Sequence, residues 1–519
     1  MKRISYIFLI LLSILGTSID ASRILCYFPN PSKSHVLLAI PICEEMAARG
    51  HSVVAVTTHK FGKETDHYKN IVIPQPGYSS EVQDMMKSGK EESLDFILKT
   101  SETFRRMNID TIKSPEFQRI MNEEKFDLVF FINIFFNNVQ LGIADHFNAP
   151  WIGLSPMGNI LPIRQYLGAP SLPSSVPGMI ISARGGMNFR DRIKNIIFNV
   201  IEYILTFYMD IVQKNEYEAI FPPNQYRGYE EMKKNNSLMF LNTHFSHSEM
   251  IRPLLPTEIE IEGIQIKTKP QPLTGALKKF LDESKDGAIL WTFGSNVEIS
   301  TTQPEKIDIM LNVLSKLKER VVLKWEIDDM SRLPKNVLAQ KWLPQDAILA
   351  HSNVKLFIGH GGLGGLGEAK YHQVPLLGMP FFGDQNGNLA KIEKDGWGRS
   401  LKLYNVTEEN FTEILNDMLT NQKYRDNVKR YSDNFRDTLA PALDTAVFWV
   451  EYALKHHGAP HLNYPGKDLN FFQRHSLDVI GFLAAILWIL YKIIRISISF
   501  CCNRRGKGQE KRKTKKKIH

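Results

Sequence analysis

The sequence predicts an α/β protein: two doubly wound domains in succession, facing a shared cleft, followed by one membrane-crossing helix. Three observations predict it. Short β-branched runs alternate with helix-like stretches in two separate series, the pattern of strands covered by helices. A glycine cluster, Gly361 to Gly367, stands where one of these runs gives way to a helix. Near the carboxyl end, an apolar run extends from Val479 to Tyr491 and on to Cys502, interrupted by Lys492 and Arg495, which is long enough to cross a bilayer. The expected division is a leader at 1–22, a first domain at 23–255, a second at 256–465, a span at 478–500 and a basic tail at 501–519.

The opening "MKRISYIFLILLSILGTSIDAS" has Lys2 and Arg3, an apolar run and small residues before Ser22, the three-part layout of a secretory leader. Then "RILCYFPNPSKSHVLLAIPICEEMAARGHSVVAVTTH" reads as strand, polar turn, helix, glycine stop and strand. "FDLVFFIN" and "APWIGLSP" continue the first series, and Ile180 to Val212 reads as helices packed on the domain or pressed on a membrane surface. Proline density rises in "LLPTEIEIEGIQIKTKPQPLTGALKKFLDES", marking a connection. The second series is "GAILWTFGS", a helix from about Gln303 to Lys318, "RVVLKWEI", "WLPQDAILAHSN" and "VKLFIGHGG".

A leader, a long body, one late span and a basic tail together describe a single-pass protein whose body is translocated. Residues 503–519 hold nine Lys/Arg against Glu510, so nearly all of the formal +9 is tail and the body is close to neutral. That excludes a nucleic-acid partner, which needs basic residues on the body. Lys516 and Lys517 resemble a dilysine signal for retrieval to the endoplasmic reticulum. Cys501 and Cys502 adjoin the span, leaving Cys26 and Cys43 as two buried free thiols of the body. The sequons at Asn235, Asn405 and Asn410 become glycosylation sites if the body is lumenal.

The glycine turn carries the chemistry. "VKLFIG" ends a strand and "LGEAKYHQ" begins a helix, so the glycines, Gly362 and Gly365 among them, lie at a helix amino terminus, where unpaired N–H groups favour an anion such as a diphosphate. Upstream, "KWLPQ" offers Trp342 as a flat face for a base and Gln345 as an amide. "FGS" adds Ser295 after another strand, and Asp384 with Gln385 supplies a carboxylate and an amide suited to sugar hydroxyls.

With these motifs, and with "SKSH", "VPGMIISARGGMNFRDRIKN" and "HHGAPHLNYPGKDLNFFQRHSLDVIGFL", almost the whole chain resembles the membrane-bound animal UDP-glycosyltransferases, often called UDP-glucuronosyltransferases. The resemblance implies two Rossmann-like domains in the GT-B arrangement, the second holding a UDP-sugar and the first a small lipophilic acceptor. It implies that Trp342 stacks on uracil, that Gln345 and Glu368 hold the nucleoside, and that Ser295, His360 and Gly365 contact phosphates. Asp384 and Gln385 take the sugar hydroxyls. The co-substrate is UDP-glucose or UDP-glucuronate, with no further cofactor and no metal. Family members commonly self-associate, which leaves homo- and hetero-oligomers open.

The implied reaction is an inverting displacement in which a histidine after the first strand takes the acceptor hydroxyl's proton. The pattern places His35 there, and imidazole suits proton transfer near neutral pH. The partner acid departs from the pattern: reading back from Leu141 and Gly142 places Asn133 where an Asp or Glu orients the base, and Asn138 where a further acid is common. Asparagine can orient an imidazole but cannot balance its charge. Gly359 replaces a usual Thr or Ser, and Gly364 a frequent Asn. The leading expectation is an active transferase of glucose or glucuronic acid to lipophilic hydroxyl compounds. The alternative is a catalytically weakened member acting as a UDP-sugar-binding or regulatory partner.

Overall fold

The computed structural model describes residues 21–75, 77–78, 81, 94–134, 137–170, 172–178, 187–246, 252–295, 297–381 and 383–515. The expected leader up to residue 20, much of "GMIISARGG", and Lys516 with Lys517 lie outside them. One compact unit takes in the chain up to Leu167 together with residues 171–463, and a second takes in Gly168–Pro170 and the chain from Tyr464 onward.

The larger unit contains two sheets. The first has seven strands: β1 (Arg23–Phe28), β2 (Ser52–Thr57), β3 (Tyr68–Val72), β4 (Leu128–Ile132), β5 (Trp151–Ser155), β6 (Asn236–Leu241) and β7 (Glu258–Glu260), in the order β3-β2-β1-β4-β5-β6-β7. The second has six: β8 (Ala288–Thr292), β9 (Arg320–Lys324), β10 (Val337–Gln340), β11 (Val354–Gly359), β12 (Leu376–Gly378) and β13 (Gly398–Ser400), in the order β10-β9-β8-β11-β12-β13. Every neighbouring pair runs parallel. Strands covered by helices on both faces must be apolar throughout, which is why "LVFFI" and "AILWT" are buried end to end.

Both orders reverse beside their first strand, between β1 and β4 and between β8 and β11. Connections leave that crevice in opposite directions, and ligands of such sheets bind at the carboxyl ends beside it. The loop and helix start after β1 carry His35, and the residue after β4 is Asn133. Thr292 ends β8 ahead of Gly294 and Ser295, and Gly359 ends β11 ahead of His360.

Each strand of the first sheet alternates between two cores. Ile24, Cys26 and Phe28 face one, Leu25 and Tyr27 the other. Two features differ from the expected division at residue 255. Pairing of β7 with β6 carries the first sheet to Glu260. The helix Ala442–Lys455 then returns to this sheet, adding Ala446, Val447, Val450 and Ala453 to the core under Ile24 and Cys26. No sequence period announces such a return, because an amphipathic helix looks the same whichever sheet it covers.

Cys26 and Cys43 are free and buried, with their sulfurs 2.9 Å apart. Burial and the neighbouring thiol push Cys43 well up, so it stays protonated and unreactive. In the second unit, the helix Leu477–Lys515 contains a 24-residue stretch, Leu477–Phe500, whose most apolar 18 residues have mean hydropathy 2.1, none of them buried. The helix does not stop at the expected end of the span but continues through the basic residues to Lys515.

Candidate functional site

The glycine cluster forms a turn and the start of a helix, as its composition requires. Gly361 has φ +83°, a left-handed conformation that L side chains avoid, and a Cβ there would meet Leu389. Gly362 caps the helix Leu363–Tyr371. His360, between strand and turn, is held between two glycines. A Cβ on Gly294, itself at φ +78°, would stand 2.7 Å from His360 Cε1, and a Cβ on Gly362 would collide with Nε2. Enclosure, and secondarily the Lys324 ammonium, lower the imidazole to about 4, so it is neutral at physiological pH. His360 Nδ1 is buried without a partner among the described residues.

Beside this turn lies a cavity of about 170 Å³. Trp342, Gln345, His360, Gly365 and Glu368 line it, together with Ser295 and Gly294. Trp342 is 57% exposed, so one face of its indole remains uncovered. Gln345 Nε2 donates to Glu368 Oε2 across 2.6 Å. Burial raises the Glu368 carboxyl to about 7 despite that bond. Ser34, Leu37 and Leu38, from the first turns of the helix Lys33–Ala48, close the opposite wall. The cavity therefore stands between the carboxyl ends of the two sheets. A larger hollow of about 990 Å³ opens at the amino ends of the first sheet's strands, around Ser22, Asp127 and Pro150, on the side of the sheet away from these groups.

Lys324 and Gln265 are among the lining residues that escaped the sequence reading. Lys324 ends β9, where its ammonium donates to Gly294 O (2.9 Å) and pairs with Glu326 (3.1 Å). A cation closing an apolar strand is itself a signal, because carboxyl ends of such strands face ligands. Gln265 comes from the connection after β7, where no periodicity marks it. Its Nε2 donates to Gly364 O at 3.2 Å, its Oε1 is buried without a partner among the described residues, and its amide stands 3.7 Å from where Gly364 would carry a Cβ. Its amide also acts to lower the Glu368 carboxyl, against the larger upward effect of burial. The amide absent from position 364 is thus replaced by one from another segment. At Gly359 a Cβ would stand 2.7 Å from the Phe357 ring, so Phe357 excludes a side chain there.

Asp384 and Gln385 lie after β12 and outside the cavity lining. Asn388 Nδ2 bridges Asp384 Oδ2 (2.6 Å) and Gly361 O (3.0 Å), tying that carboxylate to the glycine turn. Partial burial raises the Asp384 carboxyl. Gln385 is buried, and its Oε1 accepts from Phe381 N at 2.7 Å, stitching its own loop.

His35 sits in the first turn of its helix, adjacent to the lining residue Ser34. Burial lowers its imidazole to about 4, and its Nδ1 is enclosed without a partner among the described residues. Asn133 is fully buried, and both ends of its amide lack partners among the described residues. No hydrogen bond joins it to His35. Its Oδ1 occupies the space over Gly153 instead. Asn138 is committed elsewhere, to Tyr229 and Tyr166. Asp127, at the opposite end of β4, accepts from Arg23 N.

Residues 25–513 match the family described as UDP-glucoronosyl and UDP-glucosyl transferase. The chain belongs to this family. A UDP-glycosyltransferase of Dactylopius coccus, UGT5, is 31% identical over 96% of both chains. UDP-glucosyltransferase 2 of the same insect is 33% identical over 92% of both. Rat UDP-glucuronosyltransferase 1A1 is 28% identical over 98% of this chain and 97% of its own. Among solved structures, the glycosyltransferase SnogD of Streptomyces nogalater superposes with a TM-score of 0.56 at 16% identity, covering 84% of this chain and all of its own. Arabidopsis thaliana UGT89C1 gives 0.54 at 14% identity, covering 84% and 99%. Those two likenesses show the fold, which is GT-B. As a UDP-glycosyltransferase, the protein is an enzyme that transfers sugar from a UDP-sugar.

Proposed function

We propose that this UDP-glycosyltransferase moves glucose from UDP-glucose to a hydroxyl group of a small lipophilic acceptor, with inversion at the anomeric carbon. The observation that carries the reading is the cavity between the sheets. One wall is the glycine turn with Trp342, Gln345 and Glu368, and the other is the helix start beside His35. In it uracil stacks on Trp342, while the ribose bonds to Gln345 and Glu368. The diphosphate lies against Ser295, His360, Gly362 and Gly365, where the helix amino terminus offers N–H groups, and the hexose reaches Asp384 and Gln385. His35, neutral above about pH 4, accepts the acceptor proton on Nε2. The acceptor oxygen bonds to the anomeric carbon, the bond from that carbon to the diphosphate oxygen breaks, and UDP leaves with the electron pair. Glucose is preferred over glucuronate because the cation in the cavity, Lys324, is already paired with Glu326. The enzyme works as a single-pass protein of the endoplasmic reticulum, its body lumenal, held by Leu477–Phe500.

The test offers the purified protein UDP-glucose or UDP-glucuronate with a panel of phenols and measures released UDP. Turnover confined to UDP-glucuronate sinks the sugar assignment. The absence of turnover with both, despite UDP binding, sinks the proposed reaction.

A further inference from the structure

The connection after β7 belongs to the first sheet by its backbone and to the second by its polar side chains. Ile261 N and Glu262 N donate to Leu241 O (2.9 Å) and Thr243 O (3.2 Å), prolonging the run of β7 beside β6. Ile261 and Ile264 are buried in the core of the first sheet. The side chain of Glu262 turns the other way. Its Oε1 accepts from Lys370 Nζ at 3.1 Å, and the two side chains are only 2% and 5% exposed. Lys370 stands in the last turn of the helix Leu363–Tyr371, whose amino end is the glycine turn.

Other groups close around this pair. Lys370 Nζ lies 3.8 Å from the centre of the Phe435 ring, and that ring meets His244, from the loop after β6, at 4.6 Å between centroids. Burial lowers the ammonium groups of Lys370 and Lys391, and Glu262 is among the carboxylates that oppose this in both. Lys391 belongs to the helix Gln385–Asp395, which begins directly after Asp384. One carboxylate of the first sheet thus acts on both helices that start at the proposed donor site. Water cannot replace either partner of a pair so enclosed, and parting it strands two charges.

We propose that Glu262 is a positioning residue: through Lys370 it fixes the helix of the glycine turn against the first sheet, so that a nucleotide bound at one end of that helix is felt in the half that carries His35. The inference rests on the glycine turn being the nucleotide's seat, and not on which sugar is transferred.

Hydrogen exchange of the full chain in detergent, followed by mass spectrometry with and without UDP, tests it, because exchange reports local opening segment by segment. In the native protein UDP is expected to slow exchange at 359–368 and also at 258–264. The double variant Glu262→Gln, Lys370→Met removes both charges together, and Lys391 keeps Asp395, so no buried charge is left alone and the fold is retained. In it UDP should bind with unchanged affinity and protect 359–368 but no longer 258–264, and kcat should fall by about tenfold to 10²-fold through misplacement of the donor. Lys370→Arg, which keeps the charge, should keep protection at 258–264. Protection confined to 359–368 in the native protein overturns the proposal, and so does protection at 258–264 that survives in the double variant. UDP that protects neither segment overturns the seat of the nucleotide, and the proposal with it. The native pattern decides by itself, so misfolding of a variant leaves the test intact.

Discussion

Gln345 and Glu368 face each other across 2.6 Å in the cavity, and the carboxyl of that pair is held near pH 7 by burial. In the proposed binding mode ribose hydroxyls donate to the ionised form, so nucleotide binding would favour loss of the Glu368 proton. UDP affinity should rise with pH up to about 7, by at most roughly tenfold per pH unit, and flatten above. Glu368→Gln should bind UDP more weakly with that rise removed. The phosphate titrates in both proteins, so the difference between their calorimetric pH profiles isolates Glu368. Identical profiles would remove the carboxyl from the binding site.

His360 is confined by Gly294 and Gly362. Gly362→Ala forces the imidazole aside and should raise the UDP dissociation constant with little change in melting temperature. Gly294→Ala adds the left-handed backbone penalty, about 1–2 kcal/mol, and should lower the melting temperature as well. Thermal-shift titrations with UDP separate the two effects.

Gln265→Ala removes an amide from the cavity proposed to hold the nucleotide. A hydrogen bond of this kind contributes about 0.5–1.5 kcal/mol net, so the KM for the UDP-sugar should rise by a few-fold to about tenfold with kcat less affected. Gly364→Asn in the same background restores an amide from the helix and should recover part of the loss. Recovery is the informative outcome, since a purely structural defect would not respond to it.

His35→Gln should lower kcat by about 10²–10⁴-fold while UDP binding is kept. In the native protein the acid limb of kcat/KM should lie near pH 4 rather than 6.5, because burial depresses this imidazole. Stability carries the same signature. Between about 4 and 6.5 an unfolded chain protonates His35 and His360 while the folded one does not, so stability is lost as pH falls through that window. His360→Gln should flatten part of the slope of melting temperature against pH.

Asn405 is exposed, whereas Asn410 is engaged: its Nδ2 donates to Asn405 O at 2.8 Å and its side chain closes a capping box with Thr407. Expression in a secretory host should show glycan on Asn405 in preference to Asn410, read by peptide mass spectrometry.

Much of this was legible before any coordinates. A strand run such as "LVFFI" is apolar from end to end because both its faces are covered, and the glycines after β11 marked a turn into a helix. Trp342, Gln345, His360, Gly365 and Glu368 were found together because they travel within one stretch of chain and converge on one cavity. Gln265 was missed because its position depends on the path of a connection, which composition does not encode. Asn133 was located by register from Leu141 and Gly142, but register says nothing of direction. Its amide turns toward Gly153, a placement set by strand alternation beyond β4.

The helix Ala442–Lys455 closes over the sheet where the chain began. Exchanging amino-terminal halves between relatives therefore creates a second seam besides the one near residue 260. A graft will hold only if the incoming sheet offers a surface shaped for Ala446, Val447, Val450 and Ala453, four side chains that the recipient would retain from far along its own sequence.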